Sequence, residues 1–214
     1  MPPISAPTRR PSGRPSTLPL TVIASVALAF AACSGPAATF DPNAPCGGDE
    51  RAAGLLPDLE ARIPVSFDGR APDTLDSGRN CTTRSLGYLE QRGYRQIDFA
   101  GGTWETGGRS GVTIATFRAD GLQPREVFDF YKAGAFAAPK TDATTESTMT
   151  VAGTDLPRLD TLNDESFQTV VVATGRQPGL IRIVIVASAI RDVVTREAHE
   201  AVVLAAVDAA LAAG

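Results

Sequence analysis

The chain has 214 residues, 20 basic and 24 acidic side chains, three cysteines and one histidine. The net charge of −4 argues against a nucleic-acid partner, which needs a basic footprint, and one histidine with two distant cysteines cannot close a tetrahedral zinc site. No cofactor is expected, and the length suits a single domain with a real core.

The first 32 residues read as an export leader. Arg9, Arg10 and Arg14 precede any acidic residue, and residues 18–32 form an apolar run, LPLTVIASVALAFAA. Fifteen residues fall short of the roughly 20 that a helix needs to cross a bilayer. A charged start, a short apolar run and small residues at its end describe a secretory signal peptide. Thr8-Arg9-Arg10 opens like a twin-arginine signal, but Pro11-Ser12-Gly13 follows where apolar residues belong. The pair therefore reads as a generic positive region, with the export route left open.

Ala31-Ala32-Cys33 resembles the lipobox of bacterial lipoproteins, with Phe30 where Leu is usual. The resemblance covers the leader and the cysteine only. It implies lipidation of Cys33 and tethering to the outer face of the cell membrane. Cleavage after Ala29-Phe30-Ala31 would instead release a secreted protein, and an uncleaved membrane anchor is a third possibility. Three cysteines in an exported chain leave one over. If Cys33 carries lipid, Cys46 and Cys81 remain as one pair, and an oxidising compartment favours their disulfide. Such a bond would pin the segment after the anchor to the first helix.

Without residues 1–32, the chain keeps 17 basic and 24 acidic side chains, a net charge of −7. Residues 33–54 have linker composition, and residues 55–214 are expected to form the domain. Residues 61–67 alternate as an edge strand, with Ile63, Val65 and Phe67 on one face. Residues 68–80 read as a loop. Thr82 or Thr83 opens a helix to about Arg92, stopped by Gly93. Residues 96–104 and 112–119 form a hairpin around the glycine-rich turn 105–111. Pro124 opens a second helix with Val127, Phe130, Tyr131 and Gly134 on one face, and residues 135–145 read as loop. Strands follow at 146–152, 158–162 and 167–174, then a turn at 175–179. Residues 180–189 are apolar on both faces except Arg182, the mark of a central strand. Thr195 caps a last helix to about Ala212, with Val203, Leu204, Val207, Ala210 and Leu211 at helical spacing.

Strand, turn, strand and helix thus occur twice, at 96–135 and 167–212. Hairpins alternating with helices imply an α+β fold, an antiparallel sheet with about three helices packed on one face and a possible ββα pseudo-repeat. The order resembles the Mog1/PsbP-like sandwich and the lipoproteins of high-GC bacteria, on pattern alone.

Catalytic motifs are missing. His199 stands in His199-Glu200-Ala201-Val202-Val203, so a zincin pair is impossible with Val203 at the second ligand position. His199 is expected on the helix surface. Gly108-Arg109-Ser110-Gly111 is one residue short of a nucleophile elbow. Gly107 to Gly111 leads into a strand, not into the helix N-terminus that a phosphate cradle requires. Asp155, Asp160, Asn163, Asp164 and Glu165 lack the spacing of a calcium loop.

Residues 79–125 hold seven Arg against four acids, with Tyr88, Tyr94 and Trp104 among them. Arg and aromatic side chains anchor binding surfaces, so Trp104, Arg109, Tyr88 and Tyr94 are the candidate surface. The reading is a non-catalytic binding or accessory domain on the membrane, with a protein, a glycan or a small ligand as partner. The alternative is a hydrolase of envelope polymers that uses two facing carboxylates, a chemistry that leaves no local spacing signature.

Overall fold

The computed structural model describes residues 40–41, 44–138, 141–192 and 195–213. Eight strands form one antiparallel sheet: β1 (Glu50–Ala52), β2 (Thr74–Asn80), β3 (Ile97–Gly107), β4 (Ser110–Arg118), β5 (Ala143–Val151), β6 (Thr154–Leu162), β7 (Ser166–Thr174) and β8 (Leu180–Ala189). Their spatial order is β1-β2-β3-β4-β8-β7-β6-β5. Five α-helices accompany them: α1 (Pro57–Glu60), α2 (Thr83–Leu86), α3 (Tyr88–Gln91), α4 (Pro124–Ala137) and α5 (Arg196–Ala212).

Strands β4 and β8 hold the middle of the sheet, pairing Val112 with Val186 and Ile114 with Val184. Side chains alternate faces along each strand, and both faces of these two are apolar. On one face Trp104, Ile114 and Val186 pack with Leu59 of α1 and with Val203, Ala206, Val207 and Ala210 of α5. On the other, Ile97, Phe117, Val170 and Ile183 pack with Leu86, Leu89, Val127 and Phe128 from α2, α3 and α4.

The expected α+β fold with helices on one face is therefore corrected: the domain is mainly β, one eight-stranded sheet, with three helices of a single turn each. The two longer helices lie on opposite faces, because a sheet buried on both sides needs cover on both. In the repeat, each hairpin is followed by a helix, but α4 and α5 cover different faces.

Three local expectations also change. The strand at 61–67 is a loop after α1, with Val65 89% exposed and only a Phe67–Arg70 bridge. The loop at 68–80 contains β2, all seven residues of which pair with β3. The helix at 83–92 is broken into α2 and α3 by Gly87, whose φ of 48° favours glycine. The linker composition of 33–54 also hides part of the fold, since Glu50, Arg51 and Ala52 pair with β2. Gly78 makes that pairing possible: a Cβ there would lie 1.8 Å from the Glu50 carbonyl oxygen.

Candidate functional site

Cys33 lies outside the described residues. Cys46 and Cys81 form a disulfide with Cα atoms 6.1 Å apart. Beside it the Asp49 carboxylate accepts from the Cys81 and Thr82 backbone N–H groups and from the Thr82 and Ser85 hydroxyls. Burial pushes its pKa up, but these hydrogen bonds together prevail and hold it at about 2. The segment after the linker is thus fastened to the start of α2.

The four residues of the expected surface do not meet. Trp104 is 1% exposed, stacks edge-on to Phe67 and donates its Nε1–H to the Arg70 carbonyl, as part of the core under α5. Arg109 is exposed at the β3–β4 turn and pairs with Glu165 at 2.6 Å. Tyr94, on the opposite face, donates its hydroxyl to Glu126 at 2.5 Å, tying the end of α3 to the first turn of α4. Burial and the Glu126 carboxylate raise the Tyr94 pKa to about 12. Only Tyr88 lines a sizeable cavity.

That cavity is a groove of about 550 Å³ between α2, α3, α4 and the sheet. Ligand sites typically occupy about 300–1,000 Å³ and combine apolar walls with a few polar groups. Here α4 contributes Phe130 and Tyr131, whose rings are perpendicular with centroids 5.2 Å apart. Tyr88 and Gly87 form the facing wall, Leu159 and Val170 the apolar base, and Thr161 and Gln168 the polar end. Burial alone pushes the Tyr131 phenol well above its ordinary pKa, and its hydroxyl makes no hydrogen bond to any described residue. Tyr131 is half-buried and its hydroxyl is not shut away from solvent, so it is free to bond the polar group of a ligand or water.

The groove follows from the sequence locally. Phe130, Tyr131 and Gly134 are three and four residues apart and share the same stripe of α4. Gly134 leaves that stripe open: a Cβ built there meets nothing within 4 Å. Gly87 lets α3 turn away from α2, and a Cβ there would lie 3.6 Å from Phe130.

The opposite face holds a second polar cluster, missed in the sequence. His199 is 4% exposed, not on the helix surface as expected. Thr169 donates its hydroxyl to Asp160 at 2.5 Å, so it accepts from His199 Nε2–H at 2.8 Å. Nδ1 is then the acceptor for the Ser188 hydroxyl, also at 2.8 Å. Arg158 donates to both Asp160 and Glu200. The neighbouring cleft measures about 90 Å³. Asp160 and Glu200 are carboxylates on one cleft, yet Arg158 joins them. Its hydrogen bonds hold the Glu200 pKa below the ordinary value, whereas a general acid needs it raised. The cluster ties α5 to β6, β7 and β8. Its signal was present, since His199 stands four residues before Val203 on the buried stripe of α5.

Among the described residues, no group of three or more His, Cys, Asp or Glu side chains is placed to hold a metal ion. No family model, curated protein or solved structure matches the chain.

Proposed function

We propose that the chain is an exported envelope protein, lipid-anchored through Cys33, whose β-sheet domain binds a ligand non-catalytically in the groove beside α4. The groove carries this reading: at about 550 Å³ it is larger than the His199 cleft, joins apolar walls to polar groups, and holds a Tyr131 hydroxyl with no hydrogen-bond partner among the described residues. The anchor rests on the leader and on cysteine usage. With Cys46 and Cys81 bonded to each other, Cys33 is the remaining thiol. No helix among the described residues is long and apolar enough to cross a membrane.

Intact mass of the protein from its native membrane fraction, before and after reduction, tests the anchor. The expected chain begins at Cys33, is heavier by acyl groups and gains two protons on reduction. An unmodified chain beginning at Ala32 would replace the anchored protein with a secreted one.

A further inference from the structure

The electrostatics of the groove narrow its ligand. The chain without residues 1–32 carries a net charge of −7, yet no Asp or Glu lines the groove. The one charged lining residue is Arg84, exposed in α2, and it forms no ion pair with any described residue. Most of the remaining lining is apolar or aromatic, with Tyr88, Phe130, Leu159 and Val170, and the polar part is uncharged, with Thr141, Thr161, Asn163 and Gln168. A cation at the mouth of an apolar slot is complementary to a molecule with an anionic head and an apolar body.

We propose that the groove takes an anionic amphiphile, such as a fatty-acid carboxylate, with its head on Arg84 and its apolar part along Tyr88, Phe130 and Tyr131. This rests on the reading of the groove as the binding site. A carboxylate head would form a charge-assisted hydrogen bond with the guanidinium. An amphiphile of opposite charge would fill the same slot and face Arg84 unpaired.

The test uses the exported full chain carrying Cys33→Ser, titrated calorimetrically with dodecanoate and with dodecyltrimethylammonium below their micelle concentrations. Dodecanoate is expected to bind about tenfold more tightly, the equivalent of roughly 1.4 kcal/mol. Arg84→Gln should reduce that preference to near unity by weakening dodecanoate, without weakening the cationic amphiphile, which loses a like charge beside its head. Gly134→Trp fills open space on α4 and should abolish binding of both, and Gly134→Leu serves if the larger plug fails to fold. Equal affinity of the unplugged protein for the two amphiphiles would overturn the anionic ligand and leave the groove as a site. Binding of neither amphiphile, or binding that survives a folded plug, would overturn the groove itself.

Discussion

His199 shows how one residue's surroundings fix its chemistry. Thr169 has a single proton and gives it to Asp160, which forces the Nε2–H tautomer and leaves Nδ1 for Ser188. A proton added at Nδ1 would force the Ser188 hydroxyl to turn its own proton away and accept instead. Burial lowers the His199 pKa first of all; Asp160 and Glu200 oppose this, and Arg158 and Arg196 reinforce it. The sign follows: the unfolded chain takes up the proton more readily than the folded one. The stabilising contribution of neutral His199 is full above the unfolded pKa of about 6.5 and declines as pH falls through it. Urea midpoints are expected to drop between pH 7.5 and 5.5. The lowered carboxyl groups Asp49, Glu126 and Glu200 lose their contributions only below their ordinary range near 4, outside this window. His199→Gln should remove most of the slope while lowering stability by about 2–3 kcal/mol at pH 7.5 and by less at pH 5.5, since buried hydroxyls lose their partners. A slope that persists in His199→Gln would assign it elsewhere.

At the scale of the element, sequence reasoning reached the regular pieces and missed their arrangement. Residues 180–189 were expected as a central strand and β8 spans them. Thr195 was expected to cap the last helix, and its side chain accepts from Ala198 N–H. The Thr-rich segments were legible as strands because β-branched residues suit a pleated surface. Which face each helix covers depends on contacts far apart in the chain, and β2 was obscured by Asp, Ser and Gly residues that suit turns equally well. The groove needed both kinds of information. Its α4 stripe was readable from spacing, while its base on β6 and β7 was not. The polar exception in β8 is explained only by the fold: Arg182, 4% exposed, donates to the Ala210 carbonyl in the last turn of α5. Its Nε–H is buried without a partner, and burial, with Arg62 and Arg176 nearby, lowers its pKa. A buried charge without a carboxylate costs more than a favourable contact with a helix C-terminus returns. Arg182→Met is therefore expected to raise the urea midpoint, by about 1 kcal/mol or more in stability. A fall would show that the Ala210 contact outweighs desolvation.

For the whole molecule, the question is how a tether at one end would hold an eight-stranded sheet. The chain enters the fold through several links concentrated on β2 and the residues just after it. Arg79, 2% exposed, donates to Asp98 at 3.1 Å and to the carbonyls of Asp41 and Ala44, with Phe40 stacked 4.9 Å from its guanidinium. Cys46 is bonded to Cys81, Asp49 accepts from the start of α2, and Glu50–Ala52 pairs with β2. The disulfide closes a loop with a sequence separation of 35, so its chain-entropy contribution is about 3–4 kcal/mol. Replacing Cys46 and Cys81 together by serine is expected to lower stability by about that amount. The other links are noncovalent and lie on one edge of the sheet, so their loosening need not spread to β4 and β8. Amide exchange in the double variant should therefore accelerate most at residues 44–52 and 74–82, while β4 and β8 exchange only with global unfolding. Uniform acceleration across the sheet would mean that the disulfide acts on the unfolded chain alone. Acceleration at residues 44–52 and 74–82 beyond that shared by β4 and β8 would mean that it also holds the segment before α2 in place, so that a tether at Cys33 would act on the domain through β2.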